Sequence, residues 1–219
     1  MNPTVHNLGE RWSLFQQFMC EIRDVEIQQD SLRFRRNIER MGEIFAYEIS
    51  KVMQHSKIQV QTPMGKADGA VITRQPVLAT ILRAGLPLHR GLLNYFDQAE
   101  NTFISAYRKH EQDSDQFEVE IEYLSSPSVD GKTVILCDPM LATGSSMVLA
   151  YQALLERGTP AQLHVVVVIA TDEGLAMAMK NLPPETTYWV GAIDPEMTRM
   201  KYIVPGLGDA GDLAYGAKE

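Results

Sequence analysis

A strand that runs directly into a turn of small residues and then into a helix is the feature that most constrains this chain. Residues 133–137 (TVILC) form a short apolar run, which predicts a buried parallel strand. The turn ATGSS follows at 142–146, and apolar residues at helical spacing continue towards Gly158, where a helix can end. A second apolar run at 163–170 (LHVVVVIA) completes a β-α-β unit. The sequence therefore predicts an α/β fold around a mostly parallel sheet.

The turn between this strand and this helix is suited to binding an anion. Backbone N–H groups at a helix N-terminus point towards the ligand, and the helix dipole favours negative charge there. Hydroxyl groups of Thr143, Ser145 and Ser146 offer further donors, while Asp138 at the strand end can accept hydrogen bonds from sugar hydroxyls. The combination favours a phosphorylated sugar. In isolation, a Thr-Gly-Ser-Ser turn is equally typical of a helix N-cap.

A second strand-to-helix turn carries a fixed positive charge. Residues 77–82 predict a buried strand, Arg83-Ala84-Gly85 forms the turn, and residues 86–96 predict the next helix. Ligands of open α/β sheets collect at the carboxyl ends of the strands, so we expect Arg83 to share an edge with Asp138. The alternative is that Arg83 only caps its strand.

A hairpin is predicted beside this edge at residues 102–124. A strand at 102–107 and the alternating residues 117–123 flank a charged segment, KHEQDSDQ, at 109–116. Such a hairpin can act as a lid over a site. An inert, exposed loop is the alternative.

The chain upstream of these turns predicts a packed N-terminal arm and a long helix. From Asp30 or Ser31 an amphipathic helix should run to about Met53, with its arginines forming a solvated face rather than a phosphate site. Residues 58–62 alternate as a half-buried strand does. The arm, residues 1–29, should pack on its own domain or on a second copy through four apolar anchors: Trp12, Leu14, Phe15 and Phe18.

The last informative stretch, YIVPGLGDAGD at 202–212, fits the expression G-x-G-x-x-G. We reject a dinucleotide interpretation because only residues 212–219 follow, which predicts no helix to hold a pyrophosphate. A loop with so few side chains presents bare N–H and C=O groups at close range, so it can pair with the edge of a flat base. A plain turn-rich tail is the alternative.

Three of these stretches together resemble the uracil phosphoribosyltransferase branch of the type I phosphoribosyltransferases. ILRAGL (81–86), DPMLATGSS (138–146) and YIVPGLGDAGD (202–212) occur in family order, within a resemblance that spans roughly residues 21–216. The resemblance implies a single domain over residues 1–219: a central, mostly parallel sheet flanked by helices, with a flexible lid hairpin. It also implies transfer of phosphoribosyl from 5-phospho-α-D-ribose 1-diphosphate (PRPP) to uracil, giving UMP and pyrophosphate.

The resemblance also implies a role for individual residues. Arg83, Arg108 and Asp209 would be catalytic, with both arginines binding pyrophosphate and Arg108 doing so from the lid. Uracil would be framed by Ile203, Gly208, Asp209 and Ala210. PRPP would contact the three catalytic residues and the loop after the strand: Asp138, Pro139, Met140, Leu141, Ala142, Thr143, Gly144, Ser145 and Ser146. The sequence departs from the family pattern at Lys109, Ser145, Thr198-Arg199 and Leu213, mostly at the rim of the site.

Composition and charge limit the partners. A formal charge of −8 argues against a nucleic-acid clamp. No run of 18 apolar residues occurs, the N-terminus lacks a signal-like segment, and the two cysteines have no metal or redox spacing, so we expect a cytoplasmic protein without a membrane anchor. The resemblance implies Mg²⁺ that arrives with PRPP and a homodimer or higher homo-oligomer. Two alternatives stay open: a nucleotide-sensing or RNA-binding regulator on the same fold, and a phosphoribosyltransferase for a different base.

Overall fold

A mostly parallel sheet organises the fold. The computed structural model describes residues 3–110 and 117–217, with the side chains of 106–120 left out of that description. The strands are β1 Thr4–Asn7, β2 His55–Thr62, β3 Gly65–Ile72, β4 Val77–Leu82, β5 Glu100–His110, β6 Phe117–Ser125, β7 Thr133–Cys137, β8 Met140–Leu141, β9 Gln162–Thr171, β10 Thr187–Asp194, β11 Glu196–Met197 and β12 Ile203–Val204. The α-helices are α1 Leu14–Arg23, α2 Ser31–Ser50, α3 Leu86–Tyr95, α4 Ser145–Leu155, α5 Asp172–Asn181 and α6 Ala210–Tyr215, with 3-10 turns at Leu8–Glu10 and Ile27–Gln29.

The strand order of the central sheet is β1-β10-β9-β7-β4-β5-β6, and short β8 pairs with β9. Every neighbouring pair from β1 to β5 is parallel, and β6 is antiparallel to β5. The predicted β-α-β unit is confirmed, because β7 and β9 are parallel neighbours joined through α4. The chain order reverses between β4 and β7, and such a switch point opens a crevice at the carboxyl ends of the strands.

Helices cover both faces of this sheet. Val166 and Val168 of β9 pack into a cluster with α1, α2 and α3, while Val165 and Val167 pack into a second cluster with α4 and α5. Successive strand residues point to opposite faces, so a strand covered on both sides is apolar throughout. This double burial explains the continuous apolar run at 163–170.

The long helix α2 begins where the sequence predicts. The Asp30 side chain accepts a hydrogen bond from the Arg33 backbone N–H at 3.0 Å, an ordinary N-cap. The helix ends at Ser50, earlier than predicted, and Val52 beyond it is 54 % exposed.

The N-terminal arm packs on its own domain, through residues other than two of those predicted. Phe15 is buried as expected, whereas Trp12 and Leu14 are 99 % and 65 % exposed on this domain, so for these two the contact with a second copy stays a prediction. Both precede the buried face of α1, which consists of Phe15, Met19 and Ile22.

The strand predicted at 58–62 is present within β2, but the prediction that it is half-buried is wrong. β2 and β3 form a two-stranded sheet of their own, separate from the central sheet. Ile58 and Val60 therefore remain 37 % and 43 % exposed. The predicted lid strands do pair antiparallel, whereas residues 111–116 at the tip lie outside the described chain. Within the described ranges, the structure contains no helix of sufficient length and apolarity to cross a bilayer.

Candidate functional site

A cleft of about 510 Å³ opens where the sheet reverses its strand order. Its walls come from the ends of β4 and β7, from the first turn of α4, and from the loop that leads into α6. The lining residues are Ile81, Leu82, Ala84, Asp138, Met140, Leu141, Ala142, Thr143, Gly144, Ser146, Met147, Lys201, Tyr202, Gly208, Asp209, Ala210 and Gly211. The three stretches singled out in the sequence therefore share one cavity.

The turn before α4 depends on glycine. Gly144, the N-cap of α4, has a left-handed φ of +82°. A Cβ there would lie 2.8 Å from the Gly174 carbonyl oxygen and 3.1 Å from Met177 Cβ, so both backbone strain and lack of space exclude a side chain. Gly144 has no side chain to cap α4, and the Thr143 hydroxyl accepts from the Ser145 N–H only at 3.4 Å, a long contact that an anion at this N-terminus can replace.

The neighbouring helix α5 braces this turn. Thr171, the N-cap of α5, donates from its hydroxyl to the Ala142 carbonyl oxygen at 2.6 Å and accepts from the Gly174 N–H at 2.8 Å. Asp138 continues the sheet, since its N–H donates to the Val166 carbonyl oxygen at 3.1 Å. The turn is thus fixed by backbone contacts to the two segments that follow it in the chain.

A short helix follows the glycine-rich loop, so the expectation of no helix after residue 212 is wrong. α6 covers Ala210–Tyr215, and the Asp209 carboxylate accepts from the N–H groups of Gly211 and Asp212 at 2.8 and 3.0 Å. Because Asp209 already occupies that N-terminus, the helix does not offer a pyrophosphate site of the dinucleotide type.

Arg83 lies beside the cleft and is held by the C-terminal segment. Its Nη2 is 3.1 Å from Asp212 Oδ1 and 3.1 Å from the Gly216 carbonyl oxygen. The Arg83 and Asp212 side chains are 37 % and 39 % exposed, so this ion pair is weak and an incoming anion can compete for it. The buried Nε of Arg83 has no hydrogen-bond partner in the described chain. Leu82 and Ala84 on either side both line the cleft, and the Leu82–Arg83 peptide is cis.

Several predicted residues are not part of the wall, and two wall residues lie outside the three predicted stretches. Pro139 and Ser145 are not among the lining residues, nor is Arg83, which lies beside the cleft, and Ile203 is buried in the core at 4 % exposure. The side chain of Arg108 lies outside the described part of the structure, so its predicted role stays a prediction. Met147 and Lys201 line the cleft although neither belongs to the three stretches singled out in the sequence. No pattern marks Lys201, whose positive φ of +64° is a property of the folded loop.

The strongly shifted pKa values belong to buried residues that are not part of the cleft wall. Burial raises the pKa of the Cys137 thiol to about 12. Burial, with a smaller contribution from His6, lowers the pKa of His164 to about 4. Neither residue lines the cleft, whose ionisable side chains are Asp138, Lys201, Tyr202 and Asp209.

A second cavity of about 520 Å³ contains arginines of α2, but these belong to the fold. Arg36 and Arg90 lie 2.7 and 3.3 Å from carboxylate oxygens of buried Glu39. Arg35 donates to the Ala214 carbonyl oxygen at 2.5 Å and lies over the Tyr215 ring. These contacts join α2 to α3 and α6, so the predicted solvated face is in part a packing surface.

Fold and cleft together define a type I phosphoribosyltransferase: a parallel sheet whose carboxyl edge carries a phosphate-type turn, a strand-end carboxylate and a glycine-rich loop. A model of the uracil phosphoribosyltransferase family matches residues 11–217. The chain belongs to the uracil phosphoribosyltransferase family.

Individual relatives agree with this assignment. A uracil phosphoribosyltransferase of Porphyromonas gingivalis is 55 % identical over 214 residues, covering 98 % of this chain and 99 % of the relative. That of Pyrococcus furiosus is 37 % identical over 203 residues, covering 91 % of this chain and 85 % of the relative. Among solved structures, the AQ2163 protein of Aquifex aeolicus superimposes with a TM-score of 0.85 at 29 % identity, covering 97 % of this chain and 98 % of that one.

Proposed function

We propose that the cleft carries out the family's reaction, in which uracil and PRPP give UMP and pyrophosphate. The chain is a uracil phosphoribosyltransferase by family, and its substrates follow from that membership. The observation that carries the residue assignments is that the Gly144 turn and the Gly208–Ala210 ribbon line the same cavity. One molecule can then contact both through its phosphate and its base.

The proposed roles follow from how charge moves in the reaction. As the bond from C1′ to the pyrophosphate oxygen breaks, positive charge develops on the sugar ring and negative charge on the leaving group. Catalysis then requires fixed cations at the pyrophosphate. Arg83 lies beside the cleft at the end of β4, and its weak pair with Asp212 can be exchanged for a phosphate oxygen. Arg108 would add a second cation from the lid.

The phosphoribosyl group would be held at the sheet edge. The 5′-phosphate would accept hydrogen bonds from the N–H groups of residues 142–146 and from the Thr143 and Ser146 hydroxyls, which lie at the cleft wall. Asp138 would accept from the ribose hydroxyls. Asp209 would lie between the ribose and the base, close to the developing positive charge.

Uracil would lie against the ribbon Gly208–Ala210, whose main chain can pair with donors and acceptors on the base edge. The uracil N1 atom would form the new bond to C1′, and its proton would leave as the sugar cation forms. No histidine lines the described cleft, so the proposal does not assign a general base.

Mg²⁺ is proposed to enter with PRPP. The described chain contains no group of three or more His, Cys, Asp or Glu side chains that could hold a metal by itself. Oxygen ligands from phosphates and water suit this ion, and the Asp138 and Asp209 carboxylates on the wall can complete such a set. When bound, the ion would neutralise negative charge on the pyrophosphate.

Assembly, lid and location are further parts of the proposal. A homodimer or higher oligomer is supported by exposed apolar side chains at Trp12 and Leu14 and on the β2–β3 hairpin. A lid formed by residues 102–124 is supported by the β5–β6 hairpin, since β5 is the neighbour of β4. A cytoplasmic location is supported by two unpaired cysteines.

The direct test is pyrophosphate release from PRPP with a panel of free bases. We expect release with uracil and not with hypoxanthine or orotate, and loss of release when Mg²⁺ is chelated. Release with another base but not with uracil would overturn the assignment. Salt-dependent RNA binding without any release would select the regulator alternative.

A further inference from the structure

An ion pair between Arg23 and Asp194 holds the loop that leads to Gly208–Ala210, the ribbon proposed to bind the base. We propose that Arg23 and Asp194 are positioning residues for uracil, because together they fix the two peptide planes on either side of Gly206. The inference rests on the proposed function, since it takes residues 208–210 as the base-binding ribbon.

The pair and the loop form a closed set of hydrogen bonds. Arg23, the last residue of α1, donates to Asp194 at 2.7 Å from Nη2 to Oδ1 and at 2.8 Å from Nη1 to Oδ2. The Gly206 N–H donates to Asp194 Oδ2 at 2.8 Å, and the Gly206 carbonyl oxygen accepts from Arg23 Nη1 at 3.0 Å. One guanidinium group and one carboxylate therefore hold both polar groups of a single residue.

Burial makes this contact specific. The Asp194 side chain, at the carboxyl end of β10, is 6 % exposed, and that of Arg23 is 23 % exposed. A buried carboxylate needs partners for its lone pairs, and here the Arg23 fork and the Gly206 N–H provide them. Buried ion pairs are weak evidence for stability as such, so a role in fixing geometry is the more informative interpretation.

The conformation of Gly206 sets where the ribbon Gly208–Ala210 begins. Gly206 has a φ of +58°, and a Cβ there would lie 2.1 Å from the Ile203 carbonyl oxygen, so the turn is tight. Gly208 and Asp209 on the cleft wall follow within the next turn of chain. A tilt of either peptide at Gly206 would therefore move the groups proposed to pair with uracil, whereas the hydrogen bonds of this pair in the described chain run to Gly206 and not to the α4 turn proposed for phosphate.

The test is the split between the two substrates. Arg23→Met keeps the apolar stem and removes the fork. We expect KM for uracil to rise by about tenfold or more, which corresponds to about 1.4 kcal/mol, while KM for PRPP changes by less than about twofold. Arg23→Lys should restore part of the uracil KM, because an ammonium group can pair with Asp194 but cannot reproduce the planar fork that also reaches the Gly206 carbonyl oxygen.

The matched control is Arg33→Met. It removes an equally two-pronged pair, in which Arg33 Nε and Nη2 lie 3.0 and 3.1 Å from the Glu21 oxygens. This pair also joins α1 and α2 but does not contact the loop, so both KM values should stay at wild type. Equal rises of both KM values in Arg23→Met, or an unchanged uracil KM, would overturn the inference.

Two further measurements keep the outcome decisive. If Arg23→Met does not fold, Asp194→Asn retains an oxygen for the Gly206 N–H and should show the same split between substrates. Amide hydrogen exchange measures how firmly the loop is held and needs no catalytic turnover. Residues 203–208 should exchange faster in the variant than in wild type, while exchange in the rest of the chain is unchanged. If the wild-type protein releases no pyrophosphate with uracil, the proposed function alone is refuted. If hydrogen exchange at 203–208 is unchanged in the variant, only the proposal that Arg23 and Asp194 hold the loop is refuted.

Discussion

The turn at 138–146 is braced by segments close to it in the chain, whereas the loop at 201–212 is held by residues from distant elements. Thr171 and Gly174, at the start of the next helix, support the first. Arg23 of α1 and Arg83 after β4 hold the second. The turn at 138–146, called here the phosphate side of the cleft, is therefore held by neighbouring parts of the chain. The loop at 201–212, called the base side, depends on the assembled fold. Substitutions within the 138–146 turn should abolish phosphate binding. Substitutions at the distant residues that hold the 201–212 loop should selectively weaken base binding.

The largest effect should come from adding a side chain at Gly144. Gly144→Ala introduces strain at φ +82° and a contact of 2.8 Å with the Gly174 carbonyl oxygen. The strain alone costs about 1–2 kcal/mol, and a displacement of the cradle should lower kcat/KM for PRPP by about 10²-fold. Steady-state kinetics with varied PRPP measure it.

The matched control for Gly144→Ala is Gly131→Ala. Gly131 has a similar φ of +65° but no atom within 4 Å of an added Cβ. Gly131→Ala should lower the melting temperature through backbone strain. Its steady-state kinetics should stay at wild type. Similar kinetic losses in both variants would mean that strain, rather than the cradle, explains the effect.

An effect of similar size should come from Arg83→Ala. Loss of a fixed cation at the leaving group should cost about 2–4 kcal/mol of transition-state stabilisation, measured as kcat/KM with uracil. Asp212→Asn removes the partner of Arg83 and leaves the cation in place, so its effect should be much smaller. A loss of less than about threefold in Arg83→Ala would remove Arg83 from the site.

Asp209→Asn tests the junction between the two sides. Asparagine is also a good N-cap, so α6 and the melting temperature should be retained. Loss of the charge beside the ribose should lower turnover by about 1.5–3 kcal/mol, the usual range for hydrogen bonds to a charged group. Wild-type turnover in this variant would contradict the placement of Asp209.

The smallest effect concerns the two thiols, one on each side of the comparison. The buried Cys137 thiol, whose pKa is raised to about 12, should resist thiol reagents at pH 8 in the native state, because the thiolate is the reactive form. Cys20 in α1 is exposed and should react at once. Mass spectrometry after brief labelling distinguishes them. Rapid native labelling of Cys137 would mean that the strand end before Asp138 opens readily.

The structure of the phosphate side could be predicted from sequence because the residues that determine it are close together in the chain. The apolar run at 133–137, the small residues at 142–146 and the helical spacing that follows them are read in order along the chain, and the structure reproduces all three elements. The base side was predicted only as a glycine-rich loop. Helix α6 was missed because we looked for a helix only after residue 212, whereas α6 begins at Ala210 within the glycine pattern.

The tethers of the base side could not be predicted from spacing. Arg23 and Asp194 are separated by 171 positions, and Arg83 and Asp212 by 129. Nothing in either local sequence indicates the partner. For the same reason the surface that receives Trp12 and Leu14 could not be predicted, since which apolar residues of an arm are buried on the domain depends on the surface they meet.

The central claim is that one nucleotide contacts both sides of the cleft. A crystal structure with bound UMP tests it most directly. We predict the 5′-phosphate at the N–H groups of residues 142–146 and the base against Gly208–Ala210. A phosphate bound elsewhere, or a base that does not touch the ribbon, would contradict the account.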